Sequence, residues 1–490
     1  MKKVSVESNQ VTSAVKWSLV TEIIVKFISP ITNMILARLL TPEIFGLVAS
    51  IMMITTFAEM FTDAGFQKYI VQHQFVSSSE QDEYISVAFW TNLGVSIFFY
   101  LLIFLNAETL ANLSGVSGYE TVIRVYSLVL PLMSYSSIQY AVYRKNFHYK
   151  KLGIIRVIAK LIPVLVTIPL ALYTQSYWSL VIGNLVGELV ITVILIIWST
   201  QRIKLHYDYE QLKSMFMFCG GSMLETLSSW LVSNVAVFII SQSLGAYYLG
   251  LYKISITTVN QIISIITAST MNVLFATLSK VQNDSDSFNR TVNNFQKSIG
   301  LFTIPLGVGI FIFRKFITLT LLGPQWEEAS LFVGLWGFVM CESVIFADIG
   351  AYAILSKGKP GYVFLSNILQ ALLLATGLLY FEHSSFMVIT YVSFVIRWQL
   401  TVTHYWIASK VANFRLKDYP KELNVYVGAA SIMGCLGLLF QNIIEKNIFF
   451  NIVGVLICII VYFGVLMIFN NTRIELLSLF NTVRRQLARK

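Results

Sequence analysis

Ionisable and hydrogen-bonding side chains recur at spacings of three and four within stretches that are otherwise Val, Ile, Leu and Phe. Ser18, Glu22, Lys26, Ser29 and Asn33 form one such row, and the spacing places all five on one face of a helix. Thr390, Ser393, Arg397, Thr401 and His404 form a second row, and Lys253, Thr257, Asn260, Gln261 and Ser264 a third. Gly221, Glu225, Ser228 and Asn234 form a looser fourth. A charge at the centre of a hydrocarbon-spanning helix costs roughly 2.5–3.5 kcal/mol on insertion scales, so such faces turn to a bundle interior or a wet cavity. The chemistry they offer is binding. Lys and Arg can hold an anion such as a phosphate, hydroxyls and amides can hydrogen-bond a polar cargo, and carboxylates can carry a proton or a cation. The expected substrate-binding residues are Lys26, Asn33, Lys253 and Arg397. The expected ion-coupling residues are Glu22, Glu59, Glu188 and Glu225, with Glu59 four residues before Asp63 and Glu188 four after Asn184. Helix-to-helix packing competes as the reading for the hydroxyls, and an i,i+4 pair with Glu22 competes for Lys26.

Other chemistries lack their residues. The sequence contains no GxxxxGK[ST], HExxH, GxSxG or Cys/His metal spacing, so it encodes neither ATP hydrolysis nor a familiar hydrolase reaction. No catalytic residue, metal or cofactor is expected. Cys219, Cys341, Cys435 and Cys458 all fall in apolar stretches and are expected to be packing residues.

The elements that must position these side chains are membrane helices. Of 490 residues, 56% are hydrophobic and 12% charged, and the mean hydropathy is +0.70, whereas soluble domains carry about 25% charge. Apolar windows place spans at about 14–39, 43–66, 84–106, 121–143, 153–174 and 177–199, each about twenty residues or more. Six more follow at about 213–241, 246–274, 298–322, 329–356, 360–381 and 386–409, then a pair near 423–442 and 447–469. The hairpin LARLLTPEIFGL recurs as ISQSLGAYYLGL, with Leu244, Gly250 and Leu251 standing about 204 residues after Leu40, Gly46 and Leu47. The expected fold is therefore an all-α integral membrane protein of about 14 transmembrane helices. Two six-helix lobes, 1–205 and 206–415, form a parallel pseudo-repeat, and 416–490 adds two helices and a basic tail.

Charge sets the orientation. Lys68, Arg144, Lys145, Lys150, Lys151, Arg202, Lys204, Lys280, Arg290, Lys357, Lys359 and the basic tail fall on alternate linkers, which puts both termini in the cytoplasm. The net charge of +10 follows from that bias, and no nucleic-acid partner is expected. Ile474, Leu477, Phe480 and Leu487 can form an amphipathic helix on the inner leaflet.

The runs LARLLTPEIFGLVAS, FTDAGFQKYIVQ, LGAYYLGLYKIS, VLFATLSKVQND and LLGPQWEEA resemble, in that order, the polysaccharide flippases of the MOP exporter superfamily, in the Wzx/WzxC-like branch. The resemblance spans about residues 10 to 410 and departs at Ala276, where the family pattern has a proline. It implies a carrier, not an enzyme, that moves an undecaprenyl-diphosphate-linked oligosaccharide across the bacterial plasma (inner) membrane by alternating access. Its partners would be that lipid-linked substrate, membrane lipids, and the polysaccharide polymerase and export machinery. A multidrug or cation antiporter of the same superfamily is the alternative, kept open by the intramembrane Glu residues. A membrane enzyme of polysaccharide assembly is a third reading, disfavoured by the short outer linkers.

Overall fold

A computed structural model describes residues 21, 24–63, 65–146, 148–199, 201, 203–411, 419–444, 448–474 and 476–477. Every regular element among them is helical. Twelve of the helices are long and apolar enough to cross a membrane. The helix over 24–39, here α1, and the 35-residue helix Tyr209–Ser243, here α10, stand at the other two expected spans. Glu22 and the distal part of the expected tail helix, including Phe480 and Leu487, lie outside the described residues.

By contact the chain divides into two compact units, Met1–Lys253 and Ile254–Lys490. In the first unit α1 is followed by α2 (Pro42–Asp63), α3 (Phe66–Gln72), α4 (Ser78–Leu105), α5 (Ala107–Leu113), α6 (Glu120–Tyr126) and α7 (Val129–Lys145). Then come α8 (Tyr149–Thr174), α9 (Trp178–Trp198), α10 and the head of α11 (Gly245–Lys280). Pro42 opens α2, where its missing N–H needs no partner, and the Thr41 carbonyl accepts from Ile44 and Phe45 at 3.2 and 3.4 Å. Leu47, Ile51 and Ala58 of α2 pack with Ile103, Ile123 and Leu130 to form the core. Because α10 also packs on α2, α3 and α4, the contact division falls later than residue 205.

Two glycines of the repeated hairpin meet in this unit. A Cβ on Gly46 would lie 1.8 Å from the Ala246 carbonyl oxygen and 2.8 Å from the Gly250 amide, and one on Gly250 would lie 1.9 Å from the Pro42 carbonyl oxygen. Only two residues without side chains let the start of α2 cross the head of α11 so closely. Nearby, the Ser241 hydroxyl donates to the Ser114 carbonyl at 2.6 Å and lies 2.8 Å from the Ser50 hydroxyl.

The second unit runs from the rest of α11 through α12 (Ser285–Ile312), α13 (Arg314–Leu321) and a 3-10 turn, Pro324–Ala329, to α14 (Ser330–Ser343). A π-helical turn, Val344–Asp348, joins α14 to α15 (Ile349–Ser356). The hairpin α16 (Pro360–Tyr380) and α17 (Phe386–Val411) follows, and then the pair α18 (Glu422–Ile444) and α19 (Ile448–Ile468). Ile299 and Ile310 of α12 pack with Val333 and Cys341 of α14 and with Tyr426 and Ala430 of α18, and the Tyr462 hydroxyl of α19 donates to the Leu301 carbonyl at 2.9 Å. The added pair is thus part of this core. Helix α11 runs unbroken through Ala276.

Several helices start before their apolar windows. α4 begins at Ser78, where Ser77 accepts from the Glu80 amide at 3.1 Å and Glu80 accepts from the Val76 amide at 2.5 Å, a reciprocal cap. α12 begins at Ser285. The Ser287 hydroxyl and the amides of Ser287 and Asp286 bond to the Asp284 carboxylate and hold it below its ordinary range. Each unit also ties a loop with a lysine over a phenylalanine. Lys145 donates to the Ile70 and His73 carbonyls and lies 4.4 Å from the Phe75 ring centre. Lys357 donates to the Gln282 carbonyl and lies 4.5 Å from the Phe288 ring centre. Cys219, Cys341 and Cys458 are buried packing residues, but Cys435 is exposed on α18; the expectation fails there because an apolar helix in a bilayer keeps an outward face.

Candidate functional site

In the first unit the site is built on α2, α7 and α9. Gly183 and Gly187, four apart on α9, press against α8: a Cβ on Gly183 would meet Thr167 and one on Gly187 would meet Pro163. Small residues at that spacing let two membrane helices approach closely. Glu188, one position on, is thereby turned to α7, where the buried Ser136 hydroxyl donates to its Oε1 at 2.5 Å. Glu59 of α2 lies within electrostatic range of Glu188, and the buried Tyr126 lies within electrostatic range of both. Two carboxyl groups far apart in sequence thus come within electrostatic range of one another.

A cavity of about 310 Å³ with a mixed polar and apolar lining opens beside Glu59. Thr56, Glu59 and Thr62 of α2, Gln67 and Lys68 of α3, Met133 and Ser137 of α7, and Met223, Thr226 and Trp230 of α10 line it. The Trp230 indole N–H donates to the Thr56 hydroxyl at 3.2 Å, and the ring meets Phe57 edge-on at 4.9 Å between centres. Asn92 donates to the Ser137 hydroxyl at 2.9 Å. The walls are therefore positioned by their own bonds.

In the second unit the π turn organises the charges. A π turn sends N–H groups to carbonyls five residues back and leaves carbonyls without their usual partner. Side chains supply what is missing. Gln296 of α12 donates to the Ile345 carbonyl at 3.2 Å, and the buried His404 of α17 bonds the Ala347 carbonyl through Nδ1 at 3.1 Å. Gly350 lets α15 approach α17 here, since a Cβ on it would lie 3.2 Å from the His404 backbone. One turn away, Thr401 donates to Glu342 at 3.0 Å, and Arg397 donates to Ser343 at 3.4 Å with its guanidinium 5.9 Å from the Trp336 ring centre. The Glu342 and Asp348 carboxyl groups lie within electrostatic reach of Arg397. The polar row on α17 faces inward, with Thr390, Ser393 and His404 all buried.

The other expected residues separate clearly. On α1 the exposed face is Ile24, Phe27, Ile31 and Ile35, while Lys26, Ser29 and Asn33 are half-buried on the other side. Lys253 is half-buried near the head of α11. Glu225 stands on α10, but its side chain, like that of Asp63, lies outside the described residues. Sequence reasoning did not single out Ser136, Gln296, Trp336 or Trp230. Trp230 lies off the looser polar row of α10, so that row gave no signal for it.

Comparison with known proteins agrees with this architecture. The succinoglycan biosynthesis transport protein ExoT of Rhizobium meliloti (strain 1021) is 24% identical over 331 residues, 68% of this chain and 66% of that protein. The chain thus spans just under two thirds of that relative's length. Among solved structures, lipid II flippase MurJ in an inward closed conformation superposes with a TM-score of 0.75 at 16% identity, covering 94% of this chain and all of that one. An inward-facing multidrug resistance MATE family transporter of the MOP superfamily gives 0.60 at 12% identity, covering 79% and 94%. These likenesses show the fold. The description "Polysaccharide biosynthesis protein" belongs to the family whose model matches residues 35–331, more than half of the chain, and this protein is a member of that family.

Proposed function

We propose that this protein is a flippase that moves an undecaprenyl-diphosphate-linked oligosaccharide from the inner to the outer leaflet of the bacterial plasma membrane. The observation that carries the reading is a polysaccharide-biosynthesis family member built of membrane-spanning helices that carry half-buried cations and carboxylates beside buried hydroxyls. A diphosphate with attached sugars cannot cross hydrocarbon without such partners. Lys26, Asn33, Lys253 and Arg397 hold the headgroup in this proposal, and the prenyl chain remains in lipid. The six-helix lobes 1–205 and 206–415 rock in alternating access about the repeat, and both termini lie in the cytoplasm.

Deleting the gene should make the lipid-linked oligosaccharide accumulate, measured by mass spectrometry of extracted lipids. Unchanged lipids together with new sensitivity to cationic drugs would favour the antiporter reading, which the acidic pair makes the natural rival. No accumulation of any glycolipid would end the flippase proposal.

Energy must come from an ion gradient, the membrane potential or consumption of the product. Two net negative charges moving outward across 100 mV gain roughly 4.6 kcal/mol. In this proposal Glu59 and Glu188, of the candidates Glu22, Glu59, Glu188 and Glu225, form the coupling site. A carboxylate held away from water inside a membrane span is a place where a proton or a monovalent cation can bind. Glu59→Gln and Glu188→Gln should keep normal membrane levels and lose the dependence of transport on a pH or Na⁺ gradient. Unchanged gradient dependence in both variants removes the pair from the coupling role.

A further inference from the structure

We infer that the cavity between α2, α7 and α10 is a glycan subsite that takes a pyranose ring of the cargo and not its diphosphate. The inference rests on the flippase reading and specifies where its sugar portion is read. A pyranose presents two kinds of surface: an apolar C–H face, which packs on the negative face of an aromatic ring, and a rim of hydroxyls that both donate and accept. This cavity offers both complements. Trp230 is its aromatic wall, fixed by its bond to Thr56 and by the edge contact with Phe57. Thr56, Thr62, Ser137 and Gln67 supply hydroxyls and an amide, and Glu59 supplies an acceptor for a hydroxyl pair.

The same walls argue against the other parts of the cargo. A diphosphate seeks several cations in a fork geometry, whereas Lys68 alone among the described lining residues is basic, and Glu59 shares the cavity with it. A prenyl chain would press hydrocarbon against the Glu59 and Lys68 side chains that line the cavity. At about 310 Å³ the cavity is at the small end of ligand pockets, so it reads one or two rings rather than a whole repeat unit.

The test uses the purified full chain in lipid nanodiscs and, as probe, the oligosaccharide released by mild acid from the host cell's own surface glycan, titrated calorimetrically. Wild-type protein should bind it, Trp230→Phe should stay within about threefold, and Trp230→Ala should weaken binding about tenfold or more, with Ser137→Ala an intermediate loss. Excess inorganic pyrophosphate should not displace the probe. Thermal unfolding of each variant shows whether the fold survives; if Trp230→Ala does not fold, the contrast between Trp230→Phe and Trp230→Leu replaces it. Equal binding by the aromatic and aliphatic variants, displacement by pyrophosphate, or no binding by the wild type overturns the subsite. Lipid accumulation in the deletion strain reports separately: accumulation with unaltered probe binding in Trp230→Ala rejects the subsite and leaves the flippase standing, while absence of accumulation rejects transport whatever the probe does.

Discussion

Gly46→Leu is expected to abolish surface glycan, and Gly46→Ala to reduce it severely. The space for a side chain at this position is already occupied by backbone, with the Ala246 carbonyl oxygen 1.8 Å from where Cβ would stand. Backbone cannot step aside as the tip of a flexible side chain can. Overpacking in a core costs roughly 1–3 kcal/mol where side chains can shift, and here α2 and α11 must separate bodily. Gly250, which meets the Pro42 carbonyl oxygen at 1.9 Å, should behave alike. Measurement of surface glycan at matched membrane levels decides the matter. A fully active Gly46→Leu protein would mean that the crossing is not held in the working cycle.

The second large effect concerns Arg397, which the proposal treats as a ligand of the cargo's phosphate and which the fold also sets among Glu342, Asp348, Ser343 and Trp336. Arg397→Leu takes the cation from beside those half-buried carboxyl groups and removes the guanidinium bond to Ser343, which destabilises the fold. Membrane levels should fall. Arg397→Leu combined with Glu342→Leu removes much of that penalty, because the two effects are coupled through one contact network, so the double variant should return to the membrane and still carry nothing. Arg397→Lys keeps the charge but loses the planar fork that grips a phosphate with two parallel bonds, and should be strongly impaired. Full surface glycan in the double variant or in Arg397→Lys would reduce Arg397 to a structural partner of Glu342.

How far these residues could be foreseen depends on the range of the interaction that places them. Hydropathy over some twenty residues reports which stretches cross lipid, so the spans were legible. It is blind to helix outside the hydrocarbon, which is why α4 and α12 start at Ser78 and Ser285, ahead of windows that open near 84 and 298. It is blind also to interruptions within an apolar stretch. The breaks at Ser127–Leu128 and Phe313 and the π turn at Val344–Asp348 are made of the same residues as the helices around them. For the site, the helical period of three and four found the inward face of α17 and the half-buried side of α1, because that period is a local property. The pairing of Glu59 with Glu188, and of Gln296 and His404 with the π turn, depends on which helices become neighbours. A single sequence carries no period for that.

The π turn has a consequence for phase. A π turn is a helix with one residue more than its α-helical neighbours need, and each residue of an α-helix advances the chain by about 100°. Everything after Asp348 in this span is therefore rotated by that much relative to an uninterrupted helix. The extra residue is what brings Gly350 round to the backbone of His404 and Lys357 to the ring of Phe288. A chain shortened by one residue anywhere between Val344 and Asp348 would keep its composition, its hydropathy and its length in the bilayer almost unchanged. Its loop tie and its close helix contact would nevertheless point to the wrong side of the span.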